Sequence, residues 1–160
     1  MDTVEQRLEE LGLALPPPAR SVGNYLPYVR AGNLFISVQG PLWGDELRFR
    51  GRLGREFTLE QGQDAARLVM LNLLVQLREA CSGDFERVRR CLRLGGFVNS
   101  TPEFNQQTLV MNGASDLLIA VLGERGRHAR FVVGCSSLPY DLAVEIEAMF
   151  ELDEAVGNRQ

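Results

Sequence analysis

Leu142-Ala143-Val144-Glu145-Ile146-Glu147-Ala148-Met149-Phe150-Glu151-Leu152 alternates without a slip. Leu142, Val144, Ile146, Ala148, Phe150 and Leu152 fall on one face, and Ala143, Glu145, Glu147, Met149 and Glu151 on the other. A period of two over this length is a β-strand with one side in a core and the other against water or a partner. Immediately upstream, His128 to Ser137 also alternates, with Arg130, Val132, Gly134 and Ser136 on one face. Leu138-Pro139-Tyr140-Asp141 between the two segments has turn chemistry, through which these last two strands could pair.

Working toward the N-terminus, two helical patterns supply the layer that such a sheet needs. Thr58-Leu59-Glu60-Gln61 is a capping box, and a helix is predicted to about Cys81, with Gly83 as its stop. Ala66, Val69, Met70, Leu73, Leu77 and Ala80 make its apolar stripe, which Leu68, Leu71 and Val75 widen. Val88 to Val98 reads as a strand, with Gly95-Gly96 as a bend or a close backbone approach. Ser100-Thr101-Pro102-Glu103 is predicted to open a second helix that ends at Gly123, with Leu109, Val110, Ala114, Leu117, Leu118 and Val121 as its face. Tyr28–Arg30 and Leu34–Val38 read as strands around Gly32-Asn33, and Leu47–Arg50 as a third after Gly44-Asp45. The order implies an α/β (α+β) fold, a mixed sheet with two main helices on one face. Residues 1–20 form an appendage, with Asp2 and Glu5 at capping-box spacing, an apolar face of Val4, Leu8 and Leu11, and a strap at Pro16-Pro17-Pro18. Residues 21–160 form the single main domain.

The 160 residues are 45% hydrophobic and 24% charged, the balance of a globular chain. The net charge of −4 argues against a nucleic-acid partner, and no apolar run suits a membrane. The N-terminus has neither the basic nor the apolar region of a signal peptide, so a cytoplasmic protein is expected. Cys81, Cys91 and Cys135, without CxxC spacing, are expected to be reduced and buried. The chain has no lysine, which excludes a Schiff-base aldolase, a pyridoxal-phosphate enzyme and a P-loop. It has one histidine, His128, and no GxSxG elbow. Chemistry here runs on carboxylates, arginines, hydroxyls, thiols and the backbone, with no cofactor and no metal expected.

Arg130 and Glu145 are the pair that such chemistry would use. A guanidinium grips a carboxylate with two parallel hydrogen bonds, and a half-desolvated glutamate takes a proton from water. If the last two strands pair, the same residues also read as a cross-strand salt bridge, the simpler reading from spacing alone. His128 reads as a strand-end hydrogen-bonding residue, Trp43 as packing or cleft rim, and Asp141 as turn chemistry.

Gly32-Asn33-Leu34-Phe35-Ile36-Ser37-Val38-Gln39, Gly95-Gly96-Phe97-Val98-Asn99, His128-Ala129-Arg130, and Leu138-Pro139 through Val144-Glu145-Ile146-Glu147-Ala148 resemble the YjgF/RidA family, also labelled endoribonuclease L-PSP. The match runs from about Val22 to Leu152. The resemblance implies a chorismate-mutase-like fold, a homotrimer with clefts between subunits, and a small carboxylate-bearing substrate, an imine or enamine acid hydrolysed to a 2-keto acid. It implies Arg130 as the carboxylate-binding arginine and Glu145 as the water-positioning glutamate. Ser37, Tyr28, Asn112 and Val132 fall on substrate-binding positions, the last through its backbone. The sequence departs from the family at Val38 and Val132, and the chain is longer between Phe104 and Asn112. RNA cleavage, the older family label, and a non-catalytic small-acid or partner-binding role are the competing readings. One histidine and no lysine count against the first.

Overall fold

The computed structural model describes residues 2–20 and 23–154. Helix α1 (Val4–Glu10) precedes four short strands: β1 (Val29–Ala31), β2 (Leu34–Gln39), β3 (Leu42–Trp43) and β4 (Glu46–Leu47). Then come α2 (Leu59–Ala80), β5 (Val88–Asn99), α3 (Gln107–Leu122), β6 (Ala129–Cys135) and β7 (Val144–Leu152). The boundary expected at residues 20 and 21 adjoins Ser21 and Val22, which lie outside the described residues.

Five strands make one sheet in the order β1-β2-β7-β5-β6, and β3 with β4 makes a separate ribbon. β7 runs antiparallel to both neighbours, while β5 and β6 are parallel. The last two strands therefore do not pair: β5 lies between them. A parallel pair needs a long crossover, and α3 supplies it between β5 and β6. The Pro139–Asp141 turn then carries the chain past the end of β5 to its other edge.

α2 starts where its capping box predicts, with Thr58 and Gln61 bonding each other's backbone N–H at 3.3 and 2.8 Å. In α1 the box is one residue later, on Thr3 and Gln6. Val4 and Leu8 of α1 are buried, but Leu11 is exposed and Leu13 packs against the core in its place. α3 begins at Gln107 rather than near Ser100. The amides of Ser100 and Thr101 are bonded to the carbonyls of Cys135 and Leu53, which holds that stretch extended against the sheet end. The strand expected to reach Arg50 stops at Leu47, and Phe49 takes a left-handed φ of 52°.

Val144, Ile146, Ala148, Phe150 and Leu152 of β7 are buried in the helix-covered core, as the alternation requires. α2 and α3 come so close that a Cβ on Gly113 would lie 2.1 Å from the Gln63 carbonyl oxygen. The expected close approach at Gly95-Gly96 is also present. A Cβ on Gly96 would strike Met111, and one on Gly95 the Phe131 ring. The uncovered face of the sheet exposes Leu34, Ile36, Val38, Phe97, Phe131 and Val133. On this face Arg93 lies 2.5 Å from Glu147 and is stacked over Phe131, whereas Arg130 is not on it.

Gly113→Ala forces backbone apart at the crossing of the two helices. It should cost about 1–3 kcal/mol or more, read as a lower midpoint in urea unfolding with the slope unchanged.

Candidate functional site

The predicted site residues fall into two groups on opposite faces of the sheet. The first group surrounds Arg130. β6 points Arg130 and Val132 toward the helix layer, and α3 brings Thr108, Asn112 and Ser115 up to the guanidinium. Arg130 Nη1 donates to Asn112 Oδ1 at 2.9 Å and to Ser115 Oγ at 3.0 Å, and Nη2 donates to the Thr108 carbonyl at 3.1 Å. All three acceptors are neutral, and among the described residues no carboxylate lies within salt-bridge distance. The guanidinium keeps its charge and two of its five N–H groups for a ligand.

His128 backs this arrangement. Its Nδ1 lies 2.6 Å from the Gly126 carbonyl, so Nδ1 carries the proton. Nε2, 2.9 Å from Ser115 Oγ, then accepts the serine hydroxyl, whose oxygen accepts from Arg130. Burial, and after it the nearby Arg130 charge, hold this imidazole below its ordinary pKa despite the carbonyl bond. His128 is the strand-end hydrogen-bonding residue expected. Ser115 was not singled out from sequence, although it sits three residues after Asn112 on the same face of α3, the helical spacing that could have found it.

The second group surrounds Glu145, on the uncovered face. Its carboxylate is half-buried, has no ion-pair partner among the described residues, and is pushed above the usual carboxylate range by that burial. Its neighbour Glu147 is committed to Arg93. Glu145 lies in the wall of a cavity of about 550 Å³. Tyr25, Val38, Leu42, Leu47 and Tyr140 give that cavity a mainly apolar lining.

Val38 and Tyr25 line this cavity, and Ser37 and Tyr28, expected at substrate-binding positions, do not. Ser37 turns inward and its hydroxyl donates to the Pro27 carbonyl at 2.6 Å. Tyr28 stacks on Phe35 at 5.5 Å, and burial, with Glu79 nearby, raises its phenol pKa. Val132 packs against the core two residues beyond Arg130. The structure thus joins Arg130 to Asn112, puts neither Ser37 nor Tyr28 in the lining of this cavity, and gives Arg130 and Glu145 no cross-strand contact.

Gly113 serves the helix crossing. Trp43 carries Arg48 over its ring at 5.2 Å, and Asp141 holds a turn at φ 59°. Cys81 and Cys91 are buried and Cys135 is half-buried, all three as free thiols. Among the described residues no helix is long and apolar enough to cross a membrane, and no three metal-ligating side chains converge.

A family described as "YjgF/chorismate_mutase-like, putative endoribonuclease" matches residues 5–152. Protein TCP17 of Trypanosoma cruzi is 42% identical over 153 residues, covering 94% of each chain. The crystal structure of Atu1372 from Agrobacterium tumefaciens is 45% identical, with a TM-score of 0.88 over 94% of this chain and 92% of that one. RidA from the Antarctic bacterium Psychrobacter shares the fold at 22% identity, with a TM-score of 0.59 over 84% and 94% of the two chains.

His128 yields a pH prediction. Its pKa is depressed in the folded state, so its contribution to stability is present above the ordinary value of 6.5 and is lost as pH falls through the folded value. Melting temperatures measured from about pH 7.5 down to about pH 5.5 should fall less steeply in His128→Asn than in the wild type.

Proposed function

We infer that this chain, which belongs to the YjgF/chorismate mutase-like family, is a hydrolytic deaminase of small reactive imine or enamine acids. The reading rests above all on Arg130, a guanidinium held in place by neutral acceptors alone, with donors to spare. Such a group is built to take a carboxylate from solution. Glu145 adds an unpaired, half-buried carboxyl with a raised proton affinity. That is the property a general base needs near neutral pH.

The reaction needs little else, because an imine carbon is already electrophilic. Arg130 holds the substrate carboxylate. Glu145 takes a proton from water as the water oxygen attacks the imine carbon. That proton goes to the nitrogen to give a carbinolamine; its hydroxyl proton then passes through Glu145 to the same nitrogen as the C=O bond forms and the C–N bond breaks, and a 2-keto acid and ammonia leave. Because Arg130 and Glu145 face opposite sides of one sheet, the reaction calls for two copies, one giving the arginine and the other the glutamate. The exposed apolar residues around Glu145 supply the surface for that contact, and a closed ring of three, as in the expected homotrimer, satisfies every copy. RNA cleavage has weaker support: the chain's one imidazole has both nitrogens bonded within the fold.

A coupled assay that follows imine decay behind an amino-acid oxidase should show faster decay with the wild type. Arg130→Lys should lose most of that rate, since an ammonium lacks the two-pronged geometry. Glu145→Gln should lower turnover by roughly 10²–10⁴ while keto-acid binding persists, and Glu147→Gln should change turnover little. Unchanged decay across several amino acids, with keto acid still bound, would leave a small-acid binding protein instead. Light scattering should give a particle near three times 17.8 kDa.

A further inference from the structure

A second cavity, of about 550 Å³, lies beyond the C-terminal ends of β5 and β6. It is separate from the one at Glu145. The Pro139–Asp141 turn runs between them, with Tyr140 in the wall of the first and Asp141 in the wall of the second. Arg50, Arg52, Arg55, Asn99, Ser136 and Ser137 line it, together with the carboxylates of Glu56 and Asp141. We propose that this cavity binds a small oxyanion that also carries a hydroxyl or amine donor, such as a hydroxylated phosphate ester or hydroxy acid.

Two observations carry this independently. The first is charge. Arg50 Nε donates to the Tyr140 carbonyl at 3.0 Å, and the Arg52 guanidinium donates to the Ser136 carbonyl. Both cations are oriented by backbone, and among the described residues neither is in a salt bridge. Arg55 is 3.5 Å from Glu56, whose carboxylate also accepts the Arg52 N–H at 2.8 Å. Three guanidiniums against two carboxylates leave a net positive pocket, and the Ser136 and Ser137 hydroxyls add neutral donors. Arginine is the residue that matches planar or tetrahedral oxyanions with paired donors.

The second observation is Asn99. It is 2% exposed, and its Nδ2 donates to the Leu142 carbonyl at 3.3 Å. That bond fixes the amide orientation, because a flip would set two oxygens against each other. Its Oδ1 is buried with no hydrogen-bond partner among the described residues. A buried carbonyl without a donor is unfavourable, and the arginines, which satisfy an anion, leave it unsatisfied. A ligand that is anionic at one end and a hydrogen-bond donor at the other answers both.

Titration calorimetry on the full chain would test this with sn-glycerol 3-phosphate, D-glycerate, inorganic phosphate and glycerol. Glycerol 3-phosphate or glycerate should bind roughly 3–10-fold tighter than inorganic phosphate, and glycerol alone should be silent. Whichever of the first two binds better identifies the oxyanion as phosphate or carboxylate. Arg55→Glu, an exposed change that leaves the fold intact, should weaken binding roughly tenfold or more, and Arg52→Ala likewise. Glycerol 3-phosphate, which lacks the carboxylate that Arg130 is proposed to hold, should bind Arg130→Ala as tightly as the wild type. The proposal is overturned if no oxyanion saturates the wild type, if Arg55→Glu binds as well as wild type, or if glycerol 3-phosphate binding disappears in Arg130→Ala.

Discussion

A strand hydrogen-bonded along both edges has only its two faces left to offer, and β7 is in that position between β2 and β5. One face is used entirely in closing the core against α2. Every carboxylate of the strand is forced onto the other, among residues that have no helix to cover them. Glu145 and Glu147 therefore differ only through their neighbours. Glu147 meets Arg93 from β5 and forms an ion pair; Glu145 meets Phe97 in the register and stays unpaired. Burial makes the carboxyl hold its proton more tightly, so the packing of the sheet also sets the proton affinity of this side chain.

Arg93 and Arg130 show the complementary logic. Arg93 is satisfied by a carboxylate and an aromatic face, and has little left to give a ligand. Arg130 is held by an amide, a hydroxyl and a carbonyl, so its position is fixed while its charge is not. The chain through Ser115 and His128 to the Gly126 carbonyl ends on backbone, which anchors the guanidinium without a formal negative charge anywhere along it. A surface salt bridge would have fixed Arg130 as well, at the expense of its affinity for an incoming anion.

Periodicity made much of this fold legible. The alternation of residues 142–152 and the stripes of α2 and α3 report which side of each element is buried, and burial is what hydrophobic patterning encodes. Strand adjacency is not encoded that way. The pairing of β6 with β5 is set by the crossover through α3, a constraint that lies in no single segment. The same gap explains the site. Arg130, Asn112 and Glu145 were readable as residues, but the assumption that neighbours in sequence pair in the sheet put the arginine and the glutamate on one face. Neighbours on a strand face opposite ways, so Val38 lines the cavity while Ser37 turns inward to the Pro27 carbonyl. Tyr25 and Tyr140 carry no local pattern, since loop residues reach a cavity through the path of the chain alone.

The opposite facing of Arg130 and Glu145 decides how the molecule can be used. A single sheet cannot bend to bring its two faces together, because the core between β7 and the helices is close-packed. Chemistry that needs both residues must therefore come from two sheets meeting. The face that would meet another copy already carries a mixed surface, with Leu34, Ile36, Val38, Phe97, Phe131 and Val133 around the Arg93–Glu147 pair. Covering that surface removes apolar area from water and also desolvates the ion pair. The pair tolerates this because its partners are already in contact and the Phe131 ring lies beneath the guanidinium. Glu145 has no such compensation. Assembly would desolvate it further unless an arginine from the facing copy, or a substrate's water, came within reach. An unpaired buried carboxylate is thus a cost for an isolated subunit, and it becomes useful where a second subunit brings a cation or a reacting molecule to it.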